Sequence, residues 1–194
     1  MRKPTLMLCC VFVLSSLGFG QQATARPKKI LTPEQQAYQQ RMKEVEAQRE
    51  NLRSEAKHAF DAEMAKEKAG DCPDADNTRE FNICFGKVEE FTDQNLKAYE
   101  GAIRELLSLK YPKLSAQASE ATAAGAELTP EQSAAEFDRL EQAWHSYLEI
   151  ASSAALHQFG EGSGGPSVEV QCHLRLVRSH MRELDGVYGV LLHL

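Results

Sequence analysis

Apolar residues recur at steps of three and four along most of the chain, which predicts helices and no strand. The clearest stripe begins near residue 167 and alternates steps of four and three: Val170, Leu174, Val177, Met181, Leu184, Tyr188 and Leu191. Comparable stripes predict a helix from about 80 that ends before Pro112, and another over about 130–158. Three amphipathic stripes with short or flexible connections are typical of a helical bundle.

A longer helix is predicted over about 33–68, although its apolar stripe is thin and its other faces are densely charged. The pentapeptide Leu-Thr-Pro-Glu-Gln at 31–35 and again at 128–132 predicts two helix starts, each with a threonine cap and a capping box. Asn77 and Glu80 predict a further capping box, and Gly70 is a natural helix stop. We expect the first helix to pack on one side; a loosely docked arm or a coiled coil with a partner are the alternatives. The predicted fold is therefore an all-α, small bundle of about four helices with a long N-terminal helix.

The N-terminus predicts export. A basic start, Met1-Arg2-Lys3, precedes an apolar run from Leu6 to Phe19 and then small residues, as in a secretory signal peptide. Cleavage after residue 20 is preferred to cleavage after residue 25, and an N-terminal membrane anchor is the alternative. No other apolar run approaches the roughly 20 residues that a membrane span requires. We expect a periplasmic or secreted protein with three parts: a signal peptide (1–20), a charged helical extension (21–70) and a main domain (71–194).

Charge limits the choice of partner. Without the first 20 residues, 20 basic residues stand against 28 acidic ones, so the net charge is −8. An acidic surface disfavours nucleic acids and anionic membranes and suits a cationic partner, although acidity also serves solubility alone.

Three cysteines remain after the predicted cleavage: Cys72, Cys84 and Cys172. In an oxidising compartment this count predicts one disulfide and one thiol. Cys72 and Cys84 are the best pair because they close a short loop, which stabilises by about 3 kcal/mol on the chain-entropy model. We expect Cys172 to be a buried thiol and the protein to be a monomer or a weak dimer, with pairing between chains as the alternative.

No catalytic motif accompanies this pattern. His173 and His180 lie two turns apart on one helix, about 10 Å by helix rise, which is too far to bind one ion together. The chain has no His-Glu-x-x-His sequence, P-loop, dinucleotide fingerprint or serine elbow. Its carboxylates are expected on solvated helix faces, where a raised pKa is not expected. We therefore expect no enzyme, no metal and no cofactor.

Two features suggest either packing or recognition. Trp144, the only tryptophan, is expected in the core with Tyr99 and Leu184, and a surface anchor for a partner is the alternative. The glycine-rich segment 160–167 is either a turn whose glycines supply positive φ angles or a protruding recognition loop. Its candidate partner-binding residues are Glu161, Gly162, Ser163, Gly164, Gly165 and Ser167.

Several short motifs follow one another over about residues 71–188: Cys72, Thr78, Asn82-Ile-Cys84, Asp93, Leu96, Tyr99, Gln142-Ala-Trp144, Tyr147, Gly164-Gly165, Cys172, Arg178 and Arg182-Glu-Leu184. Taken in this order, they resemble the family of secreted bacterial domains named after the lysozyme inhibitor LprI. The family's Arg and Cys after the tryptophan are replaced by Leu148 and Ser152, so Cys172 lacks its usual partner. The resemblance implies an LprI-like helical domain that binds a lysozyme-type muramidase and blocks its cleft. We expect Glu161 and Ser163 to be the foremost contacts. The alternative is a non-enzymatic envelope scaffold that recruits a partner through helix 33–68.

Overall fold

The computed structural model describes residues 31–113, 128–159, 162 and 164–193. These residues form four helices, α1 (Pro33–Ala69), α2 (Thr78–Ser108), α3 (Pro130–Phe159) and α4 (Gly165–His193), without a strand among them. The predicted all-α fold and the number of helices are confirmed. The predicted signal peptide lies outside the described residues.

The helix starts follow the predicted capping chemistry. The Thr32 hydroxyl accepts from the Gln35 N–H at 3.2 Å, and the Gln35 side chain accepts from the Thr32 N–H at 3.0 Å. Thr129 and Gln132 repeat this exchange at the start of α3. At α2 only half of the box forms: Asn77 accepts from the Glu80 N–H, but the Glu80 carboxylate accepts from the N–H of Asp76 instead. Helix α1 ends at Gly70, whose φ of 86° favours glycine.

Apolar side chains from all four helices form the main core. Its largest fully buried members are Tyr99, Phe137, Ile103 and Met181, and Leu184 is also buried. Trp144 is only half-buried and packs against the edge of this core. Helix α1 contributes Leu52, Ala56 and Ala59 through its C-terminal half and packs on α2 and α4. This is the one-sided packing expected of α1. The described residues from Thr32 onward form one compact unit.

A buried ionic network joins three helices. Glu63 of α1, 0% exposed, accepts hydrogen bonds from Thr92 and Asn95 of α2 at 2.9 and 3.0 Å and from Arg178 Nε of α4 at 2.8 Å. Arg178 also donates through both Nη atoms to Asp71 at 2.9 and 2.6 Å. Burial acts to lower the pKa of Arg178, but its bonds to the two carboxylates outweigh burial and raise this pKa. Each buried charge thus has charged or polar partners.

The predicted disulfide is confirmed. Cys72 and Cys84 are bonded, with their Cα atoms 6.0 Å apart, and Cys172 is free and partly buried. None of the four described helices combines the length and the apolar character that crossing a membrane would need.

Replacing Arg178 by Met tests the importance of the ionic network. The substitution leaves Glu63 buried without its cation, so we expect the free energy of unfolding to fall by about 3–5 kcal/mol. Arg182→Met is the matched control, because the Arg182–Glu67 pair is largely exposed and should cost less than about 1 kcal/mol. Urea unfolding followed by circular dichroism measures both changes. Equal losses in the two variants would contradict a special contribution from the buried network.

Candidate functional site

The structure describes four of the six candidate partner-binding residues in the glycine-rich segment. Glu161 and Ser163 lie outside the described residues, Gly162 is exposed and Gly164 is half-buried. Gly165 and Ser167 are buried, and the Ser167 hydroxyl donates to the side-chain oxygen of Asn82. Helix α4 begins at Gly165 and its first turn bonds to α2, so these two residues lie in the packing between helices, and their contact with a partner stays a prediction.

An open groove of about 450 Å³ lies beside the disulfide. Its apolar surface comes from one side of α2, where Ile83 is 53% exposed and Phe91 is 39% exposed. Charged side chains stand around these apolar residues, and the complete lining is Lys66, Asp71, Glu80, Ile83, Cys84, Lys87, Val88 and Phe91. We call this feature the disulfide groove. It was missed from the sequence because Phe91 belongs to the apolar stripe of α2, which predicts core packing, and Ile83 was considered only within the Asn82-Ile-Cys84 motif.

Residues 73–77 and the first turn of α2, as far as Glu80, form an acidic surface next to the disulfide groove, which we call the acidic loop. Its exposed acidic residues are Asp74, Asp76 and Glu80. The disulfide, the Asn77 cap and the bond from the Asp76 N–H to Glu80 hold this loop in place. The bond from the Asp76 N–H, followed by the Asn77 side chain, lowers the pKa of Glu80. The acidic loop is therefore a preorganised, negatively charged surface.

A second cluster lies between α2, α3 and α4. Glu141 and His145 are four residues apart on α3, so their side chains share one face. His145 Nε2 lies 3.2 Å from Glu100 Oε2, and His180 Nε2 lies 2.9 Å from Glu141 Oε2. The ring of Trp144 stacks on His180 with centroids 3.9 Å apart and an interplanar angle of 9°. We call Glu100, Glu141, His145 and His180 the carboxylate–histidine cluster.

The electrostatics of this cluster differ from the prediction. Burial, and then the neighbouring Glu141 carboxyl, raise the pKa of Glu100 to about 9. The expectation that the carboxylates all lie on solvated faces is wrong for Glu63, Glu100 and Glu141. Their partners come from other helices, so the spacing within one helix does not reveal them.

The carboxylate–histidine cluster opens to solvent through a cleft of about 320 Å³, which is lined in part by Glu100 and His145. His173 and Asp93, 2.7 Å apart, stand in the same cleft. Ligand atoms of Glu100, Glu141 and His145 all lie within 4.8 Å of one another, a spacing from which a metal ion can be held. Distances between histidines of one helix do not reveal this set, because two of its three ligands are carboxylates. The Glu-x-x-x-His spacing on α3 was the available signal.

Comparisons of the chain with protein-family models, with curated proteins and with solved structures found no match. The resemblance to the LprI-like family stays a prediction.

The raised pKa of Glu100 predicts a pH-dependent stability. In the unfolded chain Glu100 loses its proton near its ordinary pKa of 4.5, whereas in the folded protein it keeps this proton up to about pH 9. The contribution of Glu100 to the free energy of unfolding is therefore complete below about pH 4.5 and is lost as the pH rises towards about 9. Urea unfolding of chelator-treated protein at several pH values should show this decline. Glu100→Gln, which cannot ionise, should flatten it, and an unchanged slope would contradict the assigned pKa.

Proposed function

We propose that the protein is an exported binding protein that blocks a lysozyme-type muramidase, as the LprI-like resemblance implies, and that it acts outside the cytoplasm, in the periplasm or after secretion. The observation that supports this most is an exposed apolar groove bordered by a rigid acidic loop. The disulfide also favours an oxidising compartment, because such bonds persist there and are rare in the cytosol.

The disulfide groove and the acidic loop have the composition of a recognition surface. Ile83 and Phe91 provide an apolar centre, and Asp74, Asp76 and Glu80 provide a charged rim. Interfaces commonly place apolar and aromatic groups at the centre and polar groups at the rim. Because the disulfide and the helix cap already fix the loop, little conformational entropy is lost when a partner binds.

Charge supports the choice of partner. Lysozyme-type enzymes are often cationic, and the chain without its first 20 residues carries a net charge of −8. Complementary charge accelerates encounter and favours the matching partner. This proposal moves the contact from Glu161 and Ser163 of the glycine-rich segment to described residues of α2 and the acidic loop.

Substitution of Ile83 by Lys tests the contact surface. A lysine at the centre of the groove should weaken inhibition of a sensitive muramidase by at least about tenfold, since truncating or charging a central contact commonly costs more than 1 kcal/mol. Ile150→Lys is the matched control, because Ile150 is also exposed but lies on α3. Turnover of a cell-wall substrate is measured against inhibitor concentration for several lysozyme classes. Equal inhibition by the two variants would contradict the proposed surface, and no inhibition by the unchanged protein would contradict the function.

Salt provides an independent test of electrostatic steering. Between about 0.01 M and 0.15 M salt the screening length falls from about 30 to about 8 Å, so the association rate should fall. Replacing Asp74 and Asp76 by Asn should reduce both the rate and its dependence on salt. A rate that does not respond to salt would exclude steering by the acidic loop.

A second candidate function is that of an envelope scaffold, and the exposure of the N-terminal half of α1 favours it. The buried residues of α1 all lie at 52–63, which leaves Pro33–Asn51 without a buried side chain. Removing residues 21–70 would also delete Leu52–Glu63 from the core. Surface substitutions therefore distinguish the scaffold function from muramidase inhibition better than truncation does. Arg41→Glu with Lys43→Glu should leave muramidase inhibition intact and reduce crosslinking of this segment to an envelope partner.

A further inference from the structure

The carboxylate–histidine cluster brings together ligands of the types that divalent transition metals prefer. Glu141 and His145 extend from the same face of α3, and Glu100 approaches from α2. A metal bound by imidazole nitrogen and carboxylate oxygen at about 2.0–2.2 Å needs ligand atoms a few ångströms apart. The separation of at most 4.8 Å between these ligand atoms requires only small side-chain movements.

Two buried oxygens in this cluster have no hydrogen-bond donor apart from a proton that the Glu100 and Glu141 carboxyls can share. Glu141 is 7% exposed, and its Oε1 has no hydrogen-bond partner among the described residues; Glu100 Oε1 is in the same situation. A buried carboxylate without a partner is costly. One shared proton would neutralise only one of the two carboxylates. A divalent cation would neutralise both and would also take the lone pair of His145.

The surroundings allow such an ion to enter and to stay. The cleft reaches Glu100 and His145 from solvent, and the His145 side chain is 49% exposed, so water can complete the coordination. The remaining Glu141 oxygen lies 2.9 Å from His180, whose ring stacks on Trp144. Carboxylate ligands in metal sites are commonly held by hydrogen bonds of this kind.

We propose that Glu100, Glu141 and His145 bind one Zn²⁺ ion between α2 and α3. The nitrogen ligand and the small number of protein ligands favour Zn²⁺ over Ca²⁺ or Mg²⁺, which take six or more ligands, mainly oxygens. The site is distinct from the disulfide groove, so its existence does not depend on the proposed inhibition of a muramidase.

Isothermal titration of untagged, chelator-treated protein with ZnCl₂ tests this site. We expect one Zn²⁺ per chain, and at least about tenfold weaker binding in His145→Ala and in Glu141→Gln. His157→Ala and Cys172→Ser are the controls: His157 is an exposed histidine near the end of α3, and Cys172 is the free thiol. Both controls should bind as the unchanged protein does.

Thermal unfolding provides a second readout, because an ion that binds only the folded chain raises its melting temperature. Zn²⁺ should raise the melting temperature of the unchanged protein and of His157→Ala but not of His145→Ala, whose exposed side chain can be removed without opening the core. No Zn²⁺ binding at about 100 µM, unchanged affinity in His145→Ala, or equal affinity for Ca²⁺ would each overturn the proposal.

Discussion

The fold depends on the contact of one arginine with two acids. Arg178 of α4 bonds to Glu63 inside α1 and to Asp71 just beyond its end, while Thr92 and Asn95 of α2 complete the hydrogen bonding of Glu63. Charges buried in this way must be fully partnered, which restricts the register of α1 against its neighbours. The same contact places Asp71 at the edge of the disulfide groove, so the network also positions the candidate recognition surface.

Much of the helical framework could be predicted from the sequence. The steps of three and four in α4 and the two threonine capping boxes are local signals, and the structure follows them. The buried charges could not be predicted in this way. Glu63 and Arg178 are 115 residues apart in the chain, and within its own helix Glu63 only interrupts an apolar stripe. Glu100 and Glu141 were missed for the same reason, since their histidine partners lie on other helices.

The two candidate sites occupy separate parts of the bundle and differ in the exposure of the side chains that form them. The disulfide groove is formed by exposed side chains of α2, such as Ile83, and is bordered by the acidic loop, which the Cys72–Cys84 disulfide holds in place. The carboxylate–histidine cluster combines the buried Glu141 and His180 with the half-buried Glu100 and the exposed His145, which three helices bring together. A surface for a large partner and a small polar site thus coexist without sharing a residue. Phe91, a candidate recognition residue on the outer side of α2, was missed because it belongs to an apolar stripe that predicts core packing.

The position of Asp71 directly before Cys72 has a consequence for oxidative folding. Arg178 of α4 bonds to Asp71, so the ionic contact fixes the backbone directly beside Cys72, whose Cα lies 6.0 Å from that of Cys84. Cys172 meanwhile lies near the backbone of Ala151 on α3. We infer that the ionic contact favours pairing of Cys72 with Cys84 over pairing of either with Cys172, so that noncovalent packing would guide the covalent closure.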